Sequence, residues 1–127
     1  MRVLIPALIL TTVACGNSST QPGGTVCTAV AAAGVSLSIA DSITGQGAAL
    51  TGVWARARDG SYVDSTGLVF NDSQTGVVRA ALAFERAGTY AVTVHADGYK
   101  DWSKTGVVVT KDVCHVIGVA LSARMVK

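Results

Sequence analysis

From about residue 25 onward, apolar side chains alternate with small or polar ones at a period of two. Val35, Leu37 and Ile39 illustrate the pattern, because a serine separates each of them from the next. A period of two puts successive side chains on opposite faces of a strand, so the alternation predicts half-buried strands. Strands are predicted over residues 35–40, 53–58, 62–63, 77–84, 89–96, 105–110 and 113–123.

Short stretches rich in glycine, aspartate, serine and asparagine separate these strands and predict turns. Asp59-Gly60 is typical of a hairpin turn, and residues 41–45 and 71–76 mark strand ends. Beyond residue 25 the pattern predicts only one brief turn of helix, over residues 29–33. Many short strands at regular spacing favour two sheets packed face to face. We therefore predict an all-β fold, a seven-stranded antiparallel β-sandwich.

The first residues follow a different pattern, in which Arg2 precedes an uncharged run over residues 3–14 and Cys15 follows. A basic start, about a dozen apolar residues and small residues before a cleavage point are typical of an export signal, and the run is too short to span a bilayer. The segment resembles a bacterial lipoprotein signal, although Thr12 occupies the lipobox position where leucine is usual. We expect residues 1–14 to be removed as a signal peptide and Cys15 to be lipidated. An ordinary signal peptide cut at the same place is the alternative.

Residues 16–24 contain only small or polar side chains and one proline, which is typical of a flexible tether. Residues 15–24 are therefore expected to form a lipidated, flexible link, and the nine residues after Cys15 have an expected root-mean-square span of about 15–18 Å. Residues 25–127 are expected to form the folded domain. Glycine directly after the cysteine, rather than aspartate, favours the outer membrane over the inner one. The predicted location is the bacterial cell envelope, with the chain attached to the membrane by its lipid.

Cys27 and Cys114 form an even pair once Cys15 carries a lipid. Disulfides persist in exported proteins, so this pair is predicted to form one. Such a bond would close nearly the whole domain, and the chain entropy it removes from the unfolded state is worth about 4 kcal/mol. Metal coordination is the competing use, but neither a CxxC motif nor a nearby histidine pair accompanies these cysteines. No cofactor is expected.

Three segments of the chain resemble a known family. Residues 88–94, of sequence GTYAVTV, are followed by Asp97-Gly98-Tyr99, and this spacing resembles the carboxypeptidase regulatory-like domain, a transthyretin-like (prealbumin-like) sandwich of the immunoglobulin type. Residues 41–45 resemble the D-x-x-T-G turn that leaves the family's first strand, and residues 117–121 resemble its apolar closing strand. In this resemblance Tyr90 and Tyr99 are expected to be packing residues of the core. The resemblance also implies an accessory module or a stand-alone envelope lipoprotein domain.

His95 and His115 are the two histidines of the chain. Strand parity places His95 on the outer face, and it predicts that His115 is either half-buried or displaced by an irregularity near Cys114. The sequence contains no G-x-S-x-G nucleophile motif and no local cluster of metal ligands. We therefore expect a protein that is not an enzyme and holds no metal. A small hydrolase or metal-dependent enzyme that uses His95 or His115 is the alternative.

Charge and exposed aromatic residues bear on the partners of the domain. The chain has 10 basic side chains, or 9 without Arg2, against 8 acidic ones, and a balance so close to neutral gives no basis for nucleic-acid binding. An exposed aromatic between two lysines could instead contact a protein or glycan. Trp102, flanked by Lys100 and Lys104, is such a candidate, as is the loop over residues 65–75. The alternative is that Trp102 caps the edge of the core.

The export signal, the tether and the family resemblance together predict a non-catalytic, membrane-anchored envelope lipoprotein. Its β-sandwich is expected to act as a structural or interaction module. An accessory subunit of a transporter or of a secreted enzyme is a further alternative.

Overall fold

The computed structural model describes residues 23–66 and 70–127, so the predicted signal peptide, Cys15 and most of the tether lie outside the described residues. All regular structure in the described ranges is β-strand, which confirms the all-β prediction. The helical turn predicted over residues 29–33 is wrong, because that segment has no regular structure and is held instead by long-range hydrogen bonds. The described ranges also hold no helix long and apolar enough to cross a membrane. The strands are β1 (Val35–Asp41), β2 (Trp54–Asp59), β3 (Tyr62–Thr66), β4 (Phe70–Asn71), β5 (Val78–Leu82), β6 (Gly88–His95), β7 (Trp102–Lys111), β8 (Val116–Ile117) and β9 (Val119–Met125).

These strands form two sheets. One sheet has the order β4-β5-β1-β9 and the other has the order β3-β2-β6-β7-β8. Buried residues from both sheets belong to a single core, so the sheets pack face to face as a β-sandwich. On β1, Leu37 and Ile39 are at most 1% exposed, and on β6 Tyr90, Val92 and Val94 are fully buried. The inward face predicted from the alternation is therefore confirmed on both strands.

The described residues form nine strands where the alternation predicts seven. β4 has only two residues, and the predicted last strand is divided into β8, which also has two, and β9. Gly118 separates β8 from β9, and there the chain passes from one sheet to the other. A side chain on Gly118 would collide with the carbonyl oxygen of Ala33. The crossing between sheets therefore depends on a residue without a Cβ.

The sheet that contains β1 is not purely antiparallel, which corrects the prediction. β1 pairs antiparallel with β5 but parallel with β9, with Leu37 opposite Leu121 in the parallel pair. β1 and β9 lie at the two ends of the folded chain, so no hairpin joins them and no tight turn forces them to run in opposite directions.

The connections between the strands gather at two ends of the sandwich. We call them the cysteine end, which contains the two bonded cysteines, and the turn end, which contains the aspartate turns. At the cysteine end the chain enters the domain and the N–H of Gly34 donates to the carbonyl oxygen of Ala83, at 3.1 Å. At the turn end the N–H of Gly47 donates to the carbonyl oxygen of Gly76, at 2.6 Å. The cysteine end comprises residues 25–34, 83–86 and 111–116, and the turn end comprises residues 41–47, 71–76 and 96–101.

Two turns with the sequence Asp-Ser-x-Thr-Gly lie at the turn end, over residues 41–45 and 72–76. In the first, Asp41 Oδ1 accepts the N–H groups two and three residues further along, at 2.8 and 2.9 Å. In the second, Asp72 Oδ1 does the same at 3.0 and 3.3 Å. The glycine that closes each turn has a φ of 71° or 68°, in the left-handed region that favours glycine. The D-x-x-T-G motif is thus an aspartate-stabilised strand end.

Asp41 also accepts a hydrogen bond from the Tyr99 hydroxyl, at 2.8 Å. The N–H of Thr44, the hydroxyl of Tyr99 and the N–H of Ile43 together lower the pKa of Asp41 from 3.8 to about 2. Asp41 is only 7% exposed, so its carboxylate depends on these donors in place of water.

Candidate functional site

The cysteine end is built around a disulfide. Cys27 and Cys114 are bonded, with their Cα atoms 5.2 Å apart, across a sequence separation of 87 residues. The predicted pairing is therefore confirmed. The bond fixes the segment that enters the domain against the turn that precedes β8.

The turn that carries Cys114 is organised by Asp112. Asp112 Oδ1 accepts the N–H groups of Cys114 and His115, at 2.7 and 2.8 Å, and the N–H of Asp112 donates to the carbonyl oxygen of His115, at 2.9 Å. The donors at His115 and Cys114 lower the pKa of the Asp112 carboxyl. This turn interrupts the strand before β8, so His115 is displaced by an irregularity near the cysteine, and its side chain is also partly buried, at 25% exposure. Both features that the sequence analysis gave for His115 are present.

Glu85 lies on a tight turn after β5 that faces the entering segment. Ala83 and Glu85 have φ values of 54° and 53°, which side-chain-bearing residues rarely adopt and which cost about 1–3 kcal/mol each. The N–H of Glu85 donates to the carbonyl oxygen of Ala32 at 2.9 Å, and the N–H of Ala32 donates to Glu85 Oε1 at 2.6 Å. The Ala32 donor, followed by His115, lowers the pKa of the Glu85 carboxyl. Two reciprocal hydrogen bonds therefore offset the strain and hold this carboxylate in place.

His115 connects Glu85 to Thr28 through its two ring nitrogens. Nδ1 lies 2.8 Å from Glu85 Oε1, and Nε2 lies 2.9 Å from the hydroxyl oxygen of Thr28. An ionised carboxylate can only accept, so Nδ1 is the donor to Glu85, and in the tautomer with its proton on Nδ1 the Nε2 atom accepts from the threonine hydroxyl. The arrangement is a carboxylate, an imidazole and a hydroxyl in series, which we call the Thr28–His115–Glu85 chain.

The Thr28–His115–Glu85 chain lines an open cleft of about 410 Å³. Lys111, the two bonded cysteines and residues 28–31 also line this cleft. Three exposed valines surround this region: Val26 is 93% exposed, Val30 is 74% exposed and Val113 is 81% exposed. The cleft thus combines a cation, a carboxylate and a hydroxyl with an apolar surround.

His95 lies at the turn end, away from this cleft. Its ring stacks on Trp54, with centroids 5.3 Å apart and an angle of 16° between the planes. Nδ1 lies 2.7 Å from Asp101 Oδ1, and Nε2 lies 3.6 Å from Asp97 Oδ1. The outward orientation predicted for His95 is confirmed, and the two histidines do not form a joint site. In residues 23–66 and 70–127, no group of three or more His, Cys, Asp or Glu side chains could hold a metal ion.

Trp102 is the first residue of β7 rather than part of a loop. It lies opposite Val94 and partly buried, and it packs against the core. Lys100 forms a bridge to Val126, and Lys104 is exposed opposite Val92. Trp102 therefore occupies the edge of the core, the alternative that the sequence analysis left open. Contact of Trp102, Lys100 or Lys104 with a partner stays a prediction.

The loop predicted over residues 65–75 contains the end of β3, all of β4 and the second aspartate turn up to Thr75, while residues 67–69 lie outside the described ranges. Phe70 is 65% exposed on β4. A role of this segment in binding also stays a prediction.

Sequence reasoning missed Thr28 and Glu85. His115 is 87 residues from Thr28 and 30 residues from Glu85, so no local motif joins them. One signal was present: Thr28 follows Cys27 and His115 follows Cys114, so the predicted disulfide already brings these two side chains together.

No family model, curated protein or solved structure matches this chain.

Proposed function

We propose that this protein is a membrane-anchored lipoprotein of the bacterial cell envelope, whose disulfide-closed β-sandwich acts as a non-catalytic structural or interaction module. The Cys27–Cys114 bond carries the proposal, because disulfides form and persist in oxidising compartments and are rare in the cytosol. The bond supports the export signal predicted over residues 1–14. It also accounts for two of the three cysteines, leaving Cys15 for the lipid.

We propose, more specifically, that the β-sandwich is the transthyretin-like sandwich of the carboxypeptidase regulatory-like domain. One contact supports it: the hydroxyl of Tyr90, near the start of β6, donates to the carbonyl oxygen of Arg86 at 2.8 Å. A tyrosine that bonds the backbone a few residues upstream is a hallmark of immunoglobulin-type sandwiches. The D-x-x-T-G turn after β1 supports the same assignment.

The experiment for the anchored module is intact mass spectrometry of protein extracted from bacterial membranes, with and without reduction. We expect a chain that begins at Cys15, carries acyl chains and gains two hydrogens on reduction. Cys15→Ser is the matched variant, because it removes the lipid site and leaves the disulfide. It should move the protein to the soluble fraction. A wild-type product that is soluble and unacylated would contradict the proposal.

A small hydrolase is the second candidate, and the Thr28–His115–Glu85 chain favours it. In this reaction Thr28 Oγ1 attacks the carbonyl carbon of an ester while His115 Nε2 takes the hydroxyl proton. His115 then gives the proton to the departing alcohol, and water releases the acyl group from the threonine by the same steps. Glu85 holds the ring and stabilises its charged form.

The hydrolase is tested with p-nitrophenyl acetate as the substrate. Thr28→Val and His115→Gln should each lower the rate about 100-fold or more, as expected for loss of a nucleophile or a general base. His95→Gln is the control, because it removes the histidine outside the cleft. Equal rates for the wild type and all three variants would exclude the hydrolase. A folded-state check by circular dichroism separates lost chemistry from lost structure.

A further inference from the structure

The exposed valines at the cysteine end form a surface that the sandwich itself does not explain. Val26 and Val113 each precede a cysteine of the disulfide, so the bond holds the backbone at these two positions in the same region of the surface. Val30 lines the cleft together with both cysteines. We call Val26, Val30 and Val113 the apolar rim. Their exposures of 93%, 74% and 81% leave most of the apolar surface of each side chain in water.

We propose that the apolar rim rests on the surface of the lipid bilayer to which the protein is anchored. This inference rests on the proposed function, because it needs the lipid on Cys15. Val26 lies two residues after Gly24, the last residue of the predicted tether, so the tether connects directly to the rim.

The predicted tether is short enough to keep the apolar rim close to the bilayer surface, so lipid is the partner that the rim would meet first. A flexible coil of nine residues, the length predicted for the tether after Cys15, would have a root-mean-square span of about 15–18 Å and would keep the cysteine end close to the lipid headgroups. A short flexible link of this kind gives an effective concentration in the millimolar range, and weak contacts are then populated. Three valines cover less apolar area than one acyl chain, so the rim orients an anchored domain and does not bind membranes by itself.

The turn end carries an apolar residue that is more exposed than Val30 and serves as the control. Ile43 is 92% exposed and lies in the aspartate turn after β1, at the other end of the sandwich. If exposure alone brought a side chain into contact with lipid, Ile43 and Val30 would behave alike. The proposal requires them to differ.

The test uses the full lipidated chain reconstituted in phosphatidylcholine vesicles, with and without bromine atoms on the lipid tails. Val30→Trp and Ile43→Trp introduce the same fluorophore at the two ends, and the wild-type signal from Trp54 and Trp102 is subtracted. Tryptophan prefers the membrane interface at either position, so this preference is matched between the variants. We expect brominated lipids to quench the tryptophan at position 30 and to leave the one at position 43 nearly unchanged.

The outcomes separate the two proposals. The protein can float with the vesicles while both introduced tryptophans are quenched equally or neither is quenched. That result would contradict contact between the apolar rim and lipid, and it would leave the proposed lipid anchor intact. If the protein does not float at all, the proposed anchoring fails first. Sedimentation of the detergent-solubilised wild type against Val26→Ser/Val30→Ser/Val113→Ser checks a second copy as the occupant, and a wild-type dimer that the variant abolishes would overturn docking on lipid.

Discussion

Asp41 shows how a single side chain makes the turn end sensitive to pH. Its carboxylate is nearly buried and accepts from Thr44, Tyr99 and Ile43, which lower its pKa to about 2. A carboxyl whose pKa is lower in the folded state than in the unfolded chain stabilises the fold above its unfolded pKa. That contribution is lost as the pH falls through the window from 3.8 to about 2.

We predict that Asp41→Asn lowers the Tm at neutral pH and that the difference from the wild type narrows as the pH falls from about 4 to about 2. The amide keeps an oxygen for the two N–H donors, but it removes the charge that made these bonds strong. Thermal melts at several pH values measure the effect. Tyr99→Phe is the matched control, because it removes one donor, and its effect should be smaller. A constant difference at all pH values would contradict the assignment.

The sequence predicted the local part of this site and not the distant part. The aspartate turn over residues 41–45 depends on groups within three residues, so its motif is readable from the chain. The bond from Tyr99 to Asp41 spans 58 residues and depends on the assembled sandwich. The same reason hid Glu85, whose contact with His115 depends on how distant segments pack, whereas the position of Thr28 beside His115 follows from the predicted disulfide.

At the scale of strands, alternation located the major strands, but it could not give their direction or their sheet. β9 has the same inward and outward pattern whether it runs parallel or antiparallel to β1, because the pattern has a period of two in either direction. The alternation also does not predict the change of sheet at Gly118, since a glycine carries no side chain to place inside or outside.

We predict that Gly118→Ala destabilises the protein by about 1–3 kcal/mol, the usual cost of forcing an extra methyl group into a packed site. The added Cβ would press on the carbonyl oxygen of Ala33, which belongs to the backbone and cannot rotate away. Gly24→Ala is the control, because nothing lies within 4 Å of its Cβ position. Urea unfolding of both variants measures the difference. Equal midpoints would show that the crossing tolerates a side chain.

Trp102 allows a second test at the level of the strand. It is partly buried at the start of β7, so we predict that Trp102→Ala costs about 2 kcal/mol, roughly half the cost for a fully buried aromatic residue. Lys104→Ala changes an exposed neighbour on the same strand and should stay within about 0.5 kcal/mol. Denaturant unfolding gives both values. A destabilisation for Trp102→Ala no larger than that of the lysine variant would show that the ring does not support the core.

At the scale of the whole molecule, the disulfide closes almost the entire domain into one loop. We predict that Cys27→Ser/Cys114→Ser lowers the free energy of unfolding by about 4 kcal/mol, chiefly because the unfolded chain regains the freedom that the loop had removed. Urea unfolding of the oxidised wild type, the reduced wild type and this variant measures the loss. Cys15→Ser serves as the control and should unfold like the oxidised wild type. An unchanged midpoint after reduction would mean that the bond contributes nothing to stability.

The bond between Cys27 and Cys114 also determines how the protein responds to tension. A force applied between Gly23 and Lys127 crosses directly from one cysteine to the other, so residues 28–113 carry no load. Only the short segments outside the loop can lengthen, and residues 115–127 reach at most about 45 Å when fully extended, at 3.3–3.6 Å per residue. Reduction would release about 300 Å more from the loop. The oxidised protein therefore has a limited extension under force, even when the force detaches β9 from its sheet.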